Sequence, residues 1–286
     1  MNMTSYTLHL PARRTTPVVF ASPHSGRDYD PAFLHKSILD PHTIRSSEDA
    51  FVDQLFSAAP SFGAPLLAAT TPRAYVDLNR AADELDPSVV EGVRRGAHNP
   101  RVASGLGVIP RVVSNGRAIY RGKISLSEAR HRLQHAWHPY HAALQTQLNT
   151  AYAMFGEAIL VDCHSMPHEA VECVVRAGTR RPDVVLGDRF GSSASMEIVE
   201  RIEAILAGAG LVVARNAPFA GAFVTQHYGR PSRRQHAVQI EIDRALYMHE
   251  AQILPRPDFD AFRDVITRVV AEITEIGKTE MPLAAE

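Results

Sequence analysis

Two histidines in this chain each follow an apolar run with the composition of a buried strand. His164 lies in AILVDCHSMP, Ala158 to Pro167, and His24 lies in SPHSG, directly after Val18 to Ala21. A strand buried on both faces reads as a continuous apolar run, and in open α/β sheets ligands collect at the carboxyl ends of such strands. One histidine in that position is most simply the polar end of a strand; two of the same design point to a site. Hydrolytic zinc takes three protein ligands from histidine and carboxylate and keeps a fourth position for water. Glu48 or Asp49, one connection after His24, could supply the carboxylate. The alternative is an interaction with the dipole of the helix they are expected to open.

A further carboxylate, Glu241, stands inside the apolar strand Ala237 to Ile242. Strand alternation puts Gln239, Glu241 and Asp243 on one face, where three polar groups must find partners or line a cavity unless that face is the wet side of an edge strand. A buried carboxylate beside a metal site is suited to act as a general base. Arg73, Asn79 and Arg80 form another cluster; a planar guanidinium beside an amide suits a carboxylate ligand, the alternative being a surface ion pair with Asp77 or Asp83. His131, His135 and His138 repeat along one helix with no interleaved acid and read as its polar face. Cys163 falls in the opposite strand phase to His164 and reads as a core thiol. Ser165 lacks a G-x-S-x-G elbow, which argues against a serine hydrolase.

The elements that must position these residues alternate between strand and helix, which predicts a three-layer α/β/α fold on a mixed, largely parallel sheet. Strands are expected at Tyr6–Leu10 (an edge), Val18–Ala21, Pro65–Ala69, a short piece at Tyr75–Leu78, Ala158–Cys163, Val184–Leu186, Leu211–Ala214 and Ala237–Ile242, with another apolar run at Val171–Arg176. Asn115-Gly116 between Val108–Val113 and Ala118–Tyr120 predicts a β-hairpin. Helices are expected after Ser47 and ended by Gly63, over Leu126–Phe155 with a kink or break at Pro139, over Ser195–Ala207 and over Phe259–Ile276. Nothing in the composition divides residues 1–286, so a single domain is expected. A net charge of −1 over 286 residues offers no field to gather nucleic acid or anionic lipid. Two cysteines, Cys163 and Cys173, make no disulfide framework. With no bilayer-spanning run and no signal-peptide pattern, a cytoplasmic location is expected.

Taken together, the motifs resemble the N-formylglutamate amidohydrolase family. They are SPHSG at 22–26, SEDAFVDQLF at 47–56, PRAYVDLNR at 72–80, LVDCHSMP at 160–167, VLGDRFG at 185–191, TQHYGRP at 225–231 and QIEIDRALYM at 239–248, in order along nearly the whole chain. That family is similar to the zinc carboxypeptidases, which implies a mixed eight-stranded sheet between helices. The resemblance implies one zinc per chain held by His24, Asp49 and His164, with Glu241 as general base. It also implies that Arg73 polarises the scissile carbonyl and that Asn79 and Arg80 hold the substrate carboxylate. His227, Tyr228 and Arg230 are expected on a loop that closes over the substrate. Asp243 departs from the pattern, since relatives often carry Asn there, and would change the charge of the pocket. The expected activity is zinc-dependent cleavage of N-formyl-L-glutamate, or a related N-acyl amino acid, to formate and L-glutamate. Two other readings are a carboxypeptidase-like metallopeptidase, which would need an open groove where the long loops 81–107 and 216–236 favour a closed pocket, and a non-catalytic metal-stabilised binding protein, which has no need of a buried base.

Overall fold

The computed structural model describes residues 4–94, 99–172 and 180–278. Its frame is a seven-stranded sheet among these residues, one fewer than the eight that the resemblance implied. The strands are β1 (Tyr6–His9), β2 (Val18–Ser22), β3 (Leu66–Ala69), β4 (Ala158–Met166), β5 (Val184–Gly187), β6 (Val213–Arg215) and β7 (Gln235–Asp243), in the order β1-β3-β2-β4-β7-β5-β6. The pairs β2–β3, β2–β4, β4–β7 and β5–β6 are parallel, while β1 on β3 and β5 on β7 run antiparallel. The sheet is therefore mixed and largely parallel, with β1 at one edge.

The described helices are α1 (Pro31–Lys36), α2 (Val52–Leu55), α3 (Pro100–Ala103), α4 (Leu126–Arg132), α5 (His138–Phe155), α6 (His168–Glu172), α7 (Met196–Gly208), α8 (Phe223–Tyr228) and α9 (Phe259–Ile273). They cover both faces of the sheet. Val18, Phe20, Ile159, Val161, Cys163, Val238 and Ile240 pack with α2, α7 and α9, whereas Val19, Ala21, Leu160 and Ala237 pack with α4, α5 and α8. Because the central strands are buried on both faces, alternate residues of β4 and β7 feed two separate cores. Cys163 goes to the α2/α7/α9 side, away from Asp162 and His164, as its phase predicts.

Several local expectations fail because tertiary bonds claim the backbone groups that regular elements would use. The stretch after Ser47 does not form a continuous helix. A 3₁₀ turn, Thr43–Ser47, precedes it, the Asp49 N–H donates to the His24 carbonyl at 3.0 Å, and Phe51 takes a left-handed conformation (φ 66°), so only Val52–Leu55 is α-helical. The hairpin at 108–120 reduces to one antiparallel bridge, Val112–Ala118, because Val108 bonds through its N–H to Glu84 and through its carbonyl to Asp77. Tyr75–Leu78 is a turn on Pro72, not a strand. The break expected at Pro139 is instead a π-helical turn, Leu133–Trp137, that joins α4 to α5 and places Pro139 in the first turn of α5, where its missing N–H costs nothing. Of the apolar run 171–176, Val171 lies in α6 and residues 173–176, with Cys173, fall outside the described residues.

Candidate active site

Parallel register brings the chemistry to one end of the sheet. Ala21 on β2 pairs with Asp162 on β4, Asp162 pairs with Gln239 on β7, and His164 pairs with Glu241. Asp162, His164, Gln239 and Glu241 therefore form a two-by-two polar patch on the face that carries Leu160 and Ala237 deeper in the core. His24 arrives from the loop after β2. That loop is pressed against the one after β3: a Cβ at Gly26 would sit 2.1 Å from the Thr71 carbonyl oxygen, so only glycine fits.

His24, Asp49 and His164 converge with one ligand atom each, all within 4.8 Å of one another and all buried. Asp49 Oδ2 lies 2.9 Å from His164 Nδ1 and 3.4 Å from His24 Nδ1. The outer nitrogen of each ring meets a buried carboxylate: His24 Nε2 is 2.8 Å from Asp77 Oδ1, and His164 Nε2 is 3.0 Å from Asp162 Oδ2. A carboxylate behind an imidazole fixes its tautomer and leaves Nδ1 as the free ligand atom. His24 Nδ1 is buried without a hydrogen-bond partner among the described residues. An orphaned imidazole nitrogen, a second imidazole and one carboxylate oxygen facing a common point are the donor set that a divalent metal such as zinc takes. These residues could therefore hold a metal. Glu48 turns away into a bidentate pair with Arg45, at 3.0 and 3.1 Å.

The charges around the cluster hold one another. Burial alone would raise the pKa of Asp49, but the adjoining His164 and His24 rings bring it well below the usual carboxylate range. Burial would likewise raise Asp77, and Arg73 and His24 outweigh it. Glu241 behaves oppositely: burial, with Asp49 and Asp162 adding to it against the pull of His164 and Arg73, pushes it up to about 7. Its Oε1 accepts from Gln239 Nε2 at 2.8 Å.

His24, Asp49, Asp77, His164, Gln239 and Glu241 line a cavity of 670 Å³. Arg73 reaches it while its Nε donates to Asp77 Oδ2 at 3.0 Å. Arg80 also faces the cavity; its Nε and Nη1 hold the Leu106 and Asn79 carbonyls, both at 2.8 Å. Asn79 lines the wall too, but its side chain is engaged: Oδ1 accepts from Val224 N at 2.8 Å, and Nδ2 lies 3.4 Å from Asp162 Oδ2. The ion pair with Asp77 weighed for this cluster is present, yet it lies at the site, with Asp77 buried and Arg73 partly exposed.

The expected closing loop is not where the sequence suggested. Its first part, Pro218–Ala222, borders the cavity, but the chain then turns into α8 and carries His227, Tyr228 and Arg230 away. Tyr228 is buried against His141 (Oη to Nδ1 2.8 Å), exposed His227 stacks on Phe223, and exposed Arg230 bonds through its backbone to Gln235. Asp243 does not alter the pocket charge either: its carboxylate receives the Ala245 N–H at 2.9 Å and pairs with His168 at 2.7 Å, outside the cavity lining. Sequence reasoning missed Asp77 and Asp162 as partners of the histidines, Arg101 at the cavity mouth, and Arg244, whose Nη2 reaches Asp49 Oδ1 at 3.0 Å. Asp162 carried a signal, since it shares a strand face with His164 two residues on.

The chain is similar to known proteins along most of its length. Residues 16–248 match the N-formylglutamate amidohydrolase family. An N-formylglutamate deformylase of Pseudomonas aeruginosa is 31% identical over 272 residues, which cover 93% of this chain and 96% of that one. One from Pseudomonas putida is 28% identical, covering 82% and 83%. The crystal structure of an N-formylglutamate amidohydrolase from Ralstonia eutropha superposes with a TM-score of 0.89 at 36% identity, covering 96% of this chain and 98% of the other.

Proposed function

The chain belongs to the N-formylglutamate amidohydrolase family, and from that premise we propose that it hydrolyses N-formyl-L-glutamate to formate and L-glutamate in a metal-dependent reaction. It is a hydrolase acting on an amide. The observation that carries the metal-dependent reading is the buried His24–Asp49–His164 cluster, with Glu241 paired across the sheet from His164. Nδ1 of His24, Nδ1 of His164 and Oδ2 of Asp49 would hold a zinc ion, one per chain. When bound there, zinc acidifies water and polarises a carbonyl.

The remaining steps belong to the protein. Asp77 and Asp162 hold the two imidazoles in the tautomer that presents Nδ1. Glu241, raised to about 7 by burial, is suited to take a proton near neutral pH and return it. It accepts a proton from the attacking water as the new C–O bond forms, and delivers it to the amine nitrogen as the C–N bond of the resulting tetrahedral adduct breaks. The Arg73 guanidinium stands against the negative charge that develops on the carbonyl oxygen. Arg80 binds the substrate carboxylate; Asn79, already bonded to Val224 and Asp162, contributes chiefly by holding that wall in register. His227, Tyr228 and Arg230 have no part in this scheme.

Turnover of N-formyl, N-acetyl and N-succinyl amino acids, measured on zinc-loaded and chelator-stripped protein, tests the proposal. The fastest substrate should be N-formyl-L-glutamate, with activity lost on stripping and restored by zinc. Undiminished activity after verified metal removal would refute the metal-dependent scheme, and preference for another acyl group would refute the substrate.

A further inference from the structure

Arg244 is a buried cation that the scheme above does not use. It follows β7 directly, as the first residue of a 3₁₀ turn capped by Asp243. The Asp243 carboxylate is spent on that cap and on His168, so the neighbouring acid does not satisfy the guanidinium. Arg244 turns back under the site instead. Its Nε donates to Ser165 Oγ at 3.1 Å, its Nη1 reaches the Ser46 carbonyl at 3.5 Å, and its Nη2 donates to Asp49 Oδ1 at 3.0 Å. The two oxygens of Asp49 thus have separate tasks, with Oδ1 on Arg244 and Oδ2 toward both imidazoles. Ser165 follows His164, and Ser46 lies three residues before Asp49, so one rigid fork ties together two of the three segments that carry ligands.

We propose that Arg244 is a positioning residue that restricts Asp49 to a single ligand oxygen. A free carboxylate can grip a metal with both oxygens; one whose second oxygen is held by a charge-assisted bond offers only the first. The restriction keeps the protein ligand atoms at three and leaves the open position that a hydrolytic metal needs. The inference rests on the metal-dependent reading of the site, and its test separates the two.

Cobalt(II) in place of zinc reports coordination directly, because its visible bands are intense in a tetrahedral field and weaken as ligands are added. Wild-type protein should bind cobalt with the intense spectrum. In Arg244→Gln, Asp49 is free to close on the metal with both oxygens, so the bands should lose most of their intensity at full cobalt occupancy. Turnover should fall about 10–100-fold, the usual cost of losing a group that orients a ligand. Arg244→Lys keeps a donor for Oδ1 but not the fork, and should recover part of the tetrahedral spectrum. Ser165→Ala loosens the fork without unpairing a buried charge; it should weaken the bands to a smaller degree and serves where Arg244→Gln does not fold. An unchanged spectrum in folded, cobalt-loaded Arg244→Gln, or in Ser165→Ala where only that variant folds, would overturn the proposal and leave the metal site standing. Failure of the wild type to bind cobalt or zinc would remove the metal reading itself.

Discussion

The cavity has two walls built in different ways. One is sheet: His164, Gln239 and Glu241 project from β4 and β7, which stay paired through nine consecutive registers. The other is loop: Arg73, Asn79 and Arg80 lie on a turn with no strand partner. That turn is fixed from behind by side chains of the helical layer. Trp137 Nε1 donates to the Arg80 carbonyl at 2.8 Å, and His141 Nε2 donates to the Leu78 carbonyl at 2.9 Å. In the proposed scheme the sheet wall carries the groups whose errors of position are least tolerable, a ligand and the base, and the loop wall carries cations that would hold anionic parts of a substrate. Rigidity comes from backbone pairing in the first and from a few buried hydrogen bonds in the second, so the two should respond differently to substitution.

The largest expected effect is on the sheet wall. Glu241→Gln preserves size and burial and can still bond Gln239, but it cannot accept a proton. General acid–base catalysis contributes about 10²–10⁴-fold, so kcat should fall by at least the lower figure. KM, zinc content and thermal midpoint should hardly move, because the sheet registers and the ligands are untouched. Full turnover with a lowered midpoint would make Glu241 a structural group and take the chemistry off this wall.

Arg80→Lys probes the loop wall. Lysine keeps the charge but cannot both hold the Leu106 and Asn79 carbonyls and grip a carboxylate. A hydrogen bond to a charged group is worth about 1.5–3 kcal/mol, so KM for N-formyl-L-glutamate should rise at least about tenfold while kcat changes less. A fall in kcat at constant KM would place Arg80 with the reacting groups and erase the division between the walls.

The same division explains what could be read from the chain. His164 and Glu241 were legible because a polar residue inside an apolar strand has few places to go, and strand phase says which face it takes. Cys163 was assigned to the core by the same argument. Asp49 was narrowed to a pair of acids but not separated from Glu48 by residue type, since that depends on a backbone bond to His24 that has no local signature. The loops were less legible. Tyr228 and His141 are far apart in sequence, yet they bond at 2.8 Å, and His227 and Arg230 beside Tyr228 lie outside the cavity lining. Arg244 was hidden by its neighbour: Asp243 drew attention as the departure from pattern, yet it is the cap that lets Arg244 point inward.

The smallest effect concerns stability and returns to the loop wall. His141 donates from Nε2 to a carbonyl, so its Nδ1 is the unprotonated nitrogen, and the Tyr228 hydroxyl donates to it at 2.8 Å. Burial, with His227 and His138 adding to it against the Leu78 carbonyl, lowers the pKa of His141 to about 3. An unfolded histidine titrates near about 6.5. The folded value is depressed, so the contribution of neutral His141 is fully present above about pH 6.5 and is lost as pH falls toward 3. By pH 5 the loss should reach about 2 kcal/mol. Thermal midpoints of wild type and His141→Gln, followed from pH 7 to pH 5, check this. Glutamine can still bond both Tyr228 and the Leu78 carbonyl but does not titrate, so the variant should begin less stable and decline less steeply. Parallel curves would show that the wall is not clamped through a neutral His141. Converging curves would place its acid sensitivity in the helical layer behind it.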